Sequence, residues 1–156
     1  MRELLASDNS DGMLQIAEAS RGGVRIPVTL FKTSVFAIEL PDGSIPAVAC
    51  MRFFHHLARR EDRSLALREL HRVSSSDVIV SLWTDGCLQS FLRSRRRKNG
   101  EATAGYGKRT CIERAVFHDE IHEAGFEICS ERRVWPGLSM WTYYHLRKKH
   151  GSGQEG

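Results

Sequence analysis

Apolar runs alternate along this chain with stretches in which apolar positions recur at helical spacing, and the alternation predicts an α/β layer structure. Strands are predicted where short apolar or β-branched runs lie, at residues 3–6, 24–31, 45–51 and 77–82. The last two runs are apolar almost throughout, which is typical of strands covered on both faces of a sheet. The pattern therefore favours strands buried between layers of helices.

Amphipathic stretches between these runs predict helices. The first follows the polar turn at 9–12, where Ser10 or Asp11 caps its N-terminus. Later helices are predicted at residues 60–73, 89–97 and 112–124.

The C-terminal part of the chain predicts an antiparallel strand pair. Two β-rich runs lie at 126–134 and 138–146, and only the tripeptide 135–137 joins them. Parallel strands need a crossover of a dozen or more residues, so such a short link leaves only the antiparallel arrangement.

Composition places the chain among soluble globular proteins. With 156 residues, 41% of them hydrophobic and 27% charged, it has the size of one domain, predicted over 1–149, with a disordered tail at 150–156. No apolar run reaches the roughly 20 residues of a membrane helix, and no secretory h-region is present. A cytoplasmic protein without a membrane partner is expected. Its four cysteines include no C-x-x-C pair and are predicted to be reduced, mostly buried thiols.

The net charge of +4 is concentrated in two short segments, RSRRRK at 93–98 and RKKH at 147–150. A compact basic run can meet phosphates, so a nucleic-acid-binding module is one alternative function. The favoured interpretation is a solvated helix end or loop, because the charge does not follow one folded face.

Four segments resemble the class I S-adenosylmethionine-dependent methyltransferase family, in a type 11-like form. In chain order they read SDNSDGMLQIAEA, ELPDGSIPAVACMRFFHHL, LRELHRVSSSDVIVSLW and FHDEIHEAGFEI. The resemblance implies a Rossmann-like methyltransferase sheet with helices on both faces, lacking the first βα unit and ending in an antiparallel strand pair. It also implies S-adenosyl-L-methionine as cofactor and a small-molecule methyl acceptor, which the sequence does not identify.

The resemblance also assigns cofactor contacts. Asp8 stands where the family places an acid that binds the ribose hydroxyls, and a carboxylate at the carboxyl end of a strand suits a vicinal diol. The alternative for Asp8 is an Asx turn that begins the following helix. Ser34 and Val35 are expected to flank the adenine, and Met51 and Arg52 to line the edge where the methyl group is transferred.

Acceptor contacts are expected from two histidines after the third predicted strand. His55 and His56 lie at the carboxyl edge where open α/β sheets bind ligands, and there they would act as general base or orient an acceptor hydroxyl. The alternative is that both are packing residues. Trp141, Tyr143 and Tyr144 shape the acceptor pocket in one interpretation and fill the core in the other.

The family's glycine-rich cofactor loop has no counterpart, because the acidic segment already begins at residue 8. The resemblance therefore implies an N-terminally truncated relative that lacks the central first strand. Strands without that neighbour would expose sheet edges, so a homo-oligomer or a partner chain is expected to cover them. A non-catalytic partner subunit is accordingly the second interpretation of the chain's function.

A metal site is the remaining alternative. His118 and His122 are spaced i and i+4 in HDEIH, which resembles the zinc motif H-E-x-x-H. No third ligand is evident in the sequence, so no metal is expected.

Overall fold

The computed structural model describes residues 3–98 and 109–149, and by its internal contacts the chain divides into two compact units. These are Met1–Leu40 and Pro41–Gly156. The predicted tail at 150–156 and the glycine-rich segment 99–108 lie outside the described residues.

The first unit is a strand–helix–strand motif with two parallel strands, β1 and β2, paired so that Asp8 lies opposite Lys32. Ser10 is the N-cap of the helix, because its Oγ accepts a hydrogen bond from the backbone N–H of Met13 at 3.4 Å. The predicted capping is therefore confirmed for Ser10. The elements are β1 Leu4–Asp8, α1 Asp11–Ser20, a 3₁₀ turn Arg21–Gly23 and β2 Val28–Lys32.

The second unit holds a mixed sheet of four strands in the order β3-β4-β6-β5. β3 and β4 are parallel, while β6 runs antiparallel to both β4 and β5. The antiparallel pairing of β5 with β6 is the one that their short link predicts. Its elements are β3 Ile45–Cys50, a 3₁₀ turn Phe54–His56, α2 Arg60–Val73, β4 Ser74–Trp83, α3 Leu88–Lys98, α4 Arg114–Glu123, β5 Phe126–Arg133 and β6 Trp141–Lys148.

Three strands begin three or more residues from their predicted starts, and one of them, β4, predicted from residue 77, begins at Ser74. The strand predicted from residue 24 begins only at Val28, after Pro27, which lacks an N–H for the sheet. The strand predicted from residue 138 begins at Trp141, because the carbonyl of Trp135 accepts backbone hydrogen bonds from Leu138 and Ser139, both at 3.0 Å. Those bonds hold the segment in a turn and shorten the strand.

The core of the second unit lies where α2 and α4 pack against the sheet. Arg63 of α2 and Glu120 of α4 are buried within it and form a bidentate pair, with Nη2–Oε1 at 2.5 Å and Nε–Oε2 at 2.8 Å. Arg63 Nη1 also donates to the carbonyls of Leu57 and Ala58 at 3.1 and 3.0 Å. The pair therefore joins two helices to the segment that follows the 3₁₀ turn. Fully buried core side chains include Phe54, Leu67, Val78, Leu82, Phe117, Ile121, Phe126, Tyr144 and Leu146.

All four cysteines are thiols outside disulfides, as predicted. Only Cys87 is buried, whereas Cys129 is exposed and the other two are half-buried, so the prediction that most are buried is wrong. Among residues 3–98 and 109–149, no helix is both long and apolar enough to cross a membrane.

Candidate functional site

In the first unit, the carboxyl ends of β1 and β2 lie side by side and bring Asp8 next to the Thr33–Ser34 segment. Asp8 Oδ1 accepts a hydrogen bond from the Ser10 N–H at 2.8 Å, and the Asp8 carbonyl accepts one from Thr33 N–H at 3.3 Å. This is the Asx turn that the sequence offers as the alternative for Asp8. Oδ2 of this exposed side chain has no hydrogen-bond partner within the described residues, so the turn leaves one carboxylate oxygen for a ligand.

Ser34 and Val35 lie in a tight turn directly after β2. Ser34 forms an antiparallel bridge with Ala37, and its Oγ accepts a hydrogen bond from Phe36 N–H at 3.2 Å. Ser34 and Val35 are both half-buried. Asp8 thus ends β1, and Ser34 and Val35 follow the neighbouring parallel strand β2.

In the second unit, the chain leaves β3 through Met51 and Arg52. Met51 is 44% exposed, and Arg52 has a φ of 59°, in the left-handed region that costs a non-glycine residue about 1–2 kcal/mol. The Arg52 N–H donates to Oγ of buried Ser81 on β4 at 2.8 Å, which holds this conformation in place. Strain retained at the carboxyl edge of a sheet is a feature of functional sites.

His55 is enclosed by aromatic rings at the same edge. Its ring stacks on Trp83 at the end of β4, with centroids 4.8 Å apart and an interplanar angle of 21°, and meets Trp141 of β6 edge-on at 5.1 Å. Only 2% of the residue is exposed, and within the described residues Nδ1 has no hydrogen-bond partner. Burial, followed by the nearby charges of His56, Arg109 and Arg52, lowers the pKa of His55 to about 4.

His56 is exposed, and its ring centroid lies 4.2 Å from that of His55. Its pKa is also lowered, first because neighbouring side chains partly shield the ring from water and then by the charge of Arg109. We call the group formed by Arg52, His55, His56, Trp83, Arg109 and Trp141 the aromatic–cation cluster.

Two arginines lie over the tryptophans of this cluster. The Arg52 guanidinium carbon is 5.8 Å from the centroid of Trp141, and that of Arg109 is 5.7 Å from the centroid of Trp83, both within cation–π range. The backbone holds the Arg109 segment near the histidines, because Thr110 N–H donates to the His55 carbonyl at 2.7 Å. Sequence reasoning missed Trp83 and Arg109. The tryptophan ends a strongly predicted strand and was detectable, whereas Arg109 had no local signal.

The aromatic residues of β6 divide between the two interpretations given for them. Trp141 belongs to the cluster, whereas Tyr144 is fully buried and packs edge-on against Phe117 at 5.4 Å. Burial raises the pKa of Tyr144 well above its ordinary range. Tyr144 is therefore a core residue.

A cavity of about 810 Å³ follows the carboxyl end of β4. Its rim is fixed by hydrogen bonds: Arg133 donates to the carbonyls of Asp85 and Gly86, both at 2.8 Å, and Asp85 Oδ1 accepts from Arg114 N–H at 2.9 Å. Cys87 joins the cavity to the cluster, because it packs with Trp83 and Met140 in one buried group. The lining residues include Asp85, Cys87, Ser90, Phe91, Cys111 and Glu113.

The two histidines of the HDEIH segment have other partners. His118 Nε2 lies 3.1 Å from Glu131 Oε2, and His122 Nδ1 lies 3.2 Å from the Phe126 carbonyl. The part of the chain that the structure describes contains no group of three or more His, Cys, Asp or Glu residues placed to hold a metal ion. Of the basic run at 93–98, Arg95 lies over Phe91 at 5.7 Å, while the side chains at 93 and 96–98 lie outside the description.

Comparison with known proteins identifies the family. The sequence pattern of the methyltransferase domain matches residues 1–82 of the 156. No curated protein sequence matches the chain.

Solved structures share the fold at low identity. An S-adenosylmethionine-dependent methyltransferase of Methanosarcina mazei has a TM-score of 0.72 at 13% identity, over 94% of this chain and 82% of that one. Magnesium protoporphyrin IX methyltransferase of Synechocystis PCC 6803, with S-adenosylhomocysteine bound, has a TM-score of 0.72 at 14% identity, over 92% of this chain and 63% of that one. An S-adenosylmethionine-dependent methyltransferase of Thermotoga maritima has a TM-score of 0.68 at 16% identity, over 95% of this chain and 82% of that one.

The family match covers more than half of the chain, and it includes the segment with Asp8 and the segment with Met51, Arg52 and both histidines. The structural similarity extends over nearly the whole chain, but the sequence identities are so low that it shows only a shared fold. The chain therefore belongs to the methyltransferase-domain family and has the fold of S-adenosylmethionine-dependent methyltransferases.

Proposed function

We propose that this chain transfers a methyl group from S-adenosylmethionine to a small-molecule acceptor in the cytoplasm. Membership of the methyltransferase-domain family supports the reaction class. The observation that carries the proposal is the carboxyl edge of the first unit, where an exposed Asp8 keeps Oδ2 without a partner among the described residues. A carboxylate at that place suits the ribose diol of a nucleoside cofactor.

The residues at this edge fit the cofactor chemically. The Asx turn uses Oδ1 of Asp8 and orients the carboxylate, so that Oδ2 accepts a hydrogen bond from a ribose hydroxyl. Ser34 Oγ accepts from a backbone N–H and keeps its own proton to donate to an adenine nitrogen. Val35 is half-buried beside it and offers an apolar contact for the purine.

In the second unit we assign the acceptor side to the residues after β3. When bound, S-adenosylmethionine supplies the activated methyl group on its sulfonium centre. Met51 and Arg52 line this edge, and His56, exposed and with a lowered pKa, stays neutral near pH 7. A ring nitrogen of His56 then takes the proton of the acceptor. His55 is buried in the aromatic stack, and its role is to hold the turn that presents His56.

The first experiment is calorimetric titration of S-adenosylmethionine and S-adenosylhomocysteine into the full chain. Binding is expected, and Asp8→Ala is expected to weaken it at least about tenfold, because a charge-assisted hydrogen bond is lost. Asp11→Ala is the matched control: it removes the same charge from the same unit, at a residue paired with Lys32 at 2.7 Å. A folded wild-type chain that binds neither compound would refute the proposed function.

A second candidate function is a non-catalytic partner subunit, and the edge of β3 favours it. β3 pairs with β4 on one side, and among the described residues no strand covers its other side. We propose that a second copy or a partner chain adds a strand along this edge. Molar mass from light scattering, with hydrogen exchange of the amides at 45–50, tests this. A monomer whose outward β3 amides exchange rapidly would contradict it.

A further inference from the structure

The aromatic–cation cluster combines positive charge with flat aromatic surface at the acceptor side of the second unit. We propose that it binds the anionic group, carboxylate or phosphate, of a small aromatic acceptor, with Arg52 and Arg109 as counterions and the half-buried face of Trp141 against the ring. The inference rests on the proposed function only in taking the bound molecule to be the methyl acceptor.

Arg52 is the strongest argument for an anion. Among residues 3–98 and 109–149 no carboxylate lies within salt-bridge distance of its guanidinium. Two other arginines of this unit show the pairing that Arg52 lacks: Arg72 contacts Asp42 at 2.7 Å, and Arg114 contacts Glu131 at 2.8 Å. A planar guanidinium presents donors in the geometry that carboxylates and phosphates accept, so a ligand anion would supply the missing partner.

The surroundings of Arg52 add to its positive charge. Burial is the main cause of the lowered pKa of His55, and the nearby charges of His56, Arg109 and Arg52 lower that pKa further. His56 lies against His55 and responds to the same Arg109. An anion at this edge would be attracted by the two guanidinium groups, which lie over Trp141 and Trp83.

The backbone presents Arg52 in a conformation that the sheet enforces. Its φ of 59° directs the chain out of β3, and the hydrogen bond to buried Ser81 fixes that turn to β4. The tryptophans beneath the two guanidinium groups lie 5.7 Å apart, edge to face, in a largely buried set. Ion pairs are stronger beside such low-dielectric surface than in open water.

The cofactor itself carries a carboxylate, so the test must separate it from the acceptor. Benzoate, phenyl phosphate and the neutral benzyl alcohol are titrated into the full chain, with tryptophan fluorescence and calorimetry as readouts, with and without saturating S-adenosylhomocysteine. Benzoate or phenyl phosphate is expected to bind both with and without S-adenosylhomocysteine. The ratio of their two dissociation constants identifies the preferred anion. Benzyl alcohol is expected to bind at least about tenfold more weakly, equivalent to about 1.4 kcal/mol.

Variants decide which residue is responsible. Arg52→Asn removes the charge while favouring the left-handed conformation, so the turn is retained, and it is expected to weaken anion binding at least about tenfold. Arg52→Lys keeps the positive charge but not the planar guanidinium, so its affinity for the anion is expected to lie between those of the wild type and Arg52→Asn. Arg68→Gln, on an exposed position of α2, is the matched control and should bind like wild type.

Three results would overturn the inference: equal binding of benzyl alcohol, no difference between Arg52→Asn and Arg68→Gln, or competitive displacement of the anion by S-adenosylhomocysteine. The last would assign the site to the cofactor carboxylate. If the anions bind through Arg52 but neither cofactor compound binds, the proposed function fails and the anion site stands. If the cofactor compounds bind and the anions do not, only the anion site fails.

Discussion

Breaking the buried Arg63–Glu120 ion pair is expected to destabilise the second unit strongly, and substituting Glu120 tests this. Glu120→Ala would remove the carboxylate that accepts two charge-assisted hydrogen bonds and leave a guanidinium buried with only the carbonyls of Leu57 and Ala58. Arginine stays protonated even when it is buried, so Arg63 would keep an uncompensated positive charge in the core. This charge is expected to destabilise the second unit by about 3–5 kcal/mol. That is a large fraction of the 5–15 kcal/mol typical of a whole domain.

The same two helices supply an internal control. Arg60 and Glu123 form a second pair with a similar Nη2–Oε1 distance of 2.6 Å, but their side chains are 50% and 60% exposed. Glu123→Ala is therefore expected to change the free energy of unfolding by only about 0–1 kcal/mol, because water screens the charge. The assay is urea unfolding at pH 7, followed by far-UV circular dichroism.

A double substitution separates the ion pair from its packing. Arg63→Met combined with Glu120→Leu replaces both charges by apolar groups, so most of the loss seen in Glu120→Ala is expected to be recovered. The remaining deficit would reflect the two carbonyls that lose their donor, about 1–3 kcal/mol each at most. Equal destabilisation by Glu120→Ala and Glu123→Ala would refute the reasoning, because burial would then have no effect on the energy of the pair.

Further predictions concern three other positions. In the folded protein the pKa of His55 is lowered from 6.5 to about 4, so between those pH values the unfolded chain binds more protons and the free energy of unfolding falls as the pH drops. His55→Phe is expected to reduce this pH dependence by at most about 1.4 kcal/mol per pH unit, measured by urea unfolding at several pH values. Gly137 has a φ of 76° and open surroundings, so Gly137→Ala is expected to cost only the backbone strain of about 1–2 kcal/mol. Gly125 has a φ of 88°, and a Cβ there would also lie 3.0 Å from His71 Nε2, so Gly125→Ala should destabilise the protein more than Gly137→Ala does. Thermal unfolding of both variants checks this, and an equal loss would remove the role given to His71. Desolvation of the half-buried Cys50 thiol raises its pKa to about 12, so iodoacetamide at pH 8 should label exposed Cys129 and leave Cys50 unmodified until urea is added. Labelling of Cys50 in the folded protein would contradict this raised pKa.

Much of the fold follows from local patterns. Apolar runs and helical periodicity predicted every strand and every α-helix of the described chain, because these signals arise within a few residues of each other. The antiparallel pairing of β5 and β6 followed from the length of their link alone. Boundaries were less well determined: the start of β6 at Trp141 depends on hydrogen bonds that close the preceding turn.

The candidate site divides in the same way. Sequence patterns led to Asp8, Ser34 and Val35 and to the segment from Met51 to His56, since strand ends and a family resemblance mark them. They did not reveal that Arg52 adopts a left-handed conformation held by Ser81. Nor did they distinguish His55, buried against tryptophan, from its exposed neighbour His56.

The sequence by itself determined the α/β class, the order of elements and the family of this protein, because each depends on residue type and spacing along the chain. The tertiary structure alone decided which distant side chains meet. Trp83 and Trp141 lie opposite one another because of the antiparallel register of β4 and β6, and Arg52 reaches Ser81 because β3 and β4 are parallel with Cys50 beside Val80. Register is a property of paired strands, set by packing of both partners, so no pattern within one segment specifies it.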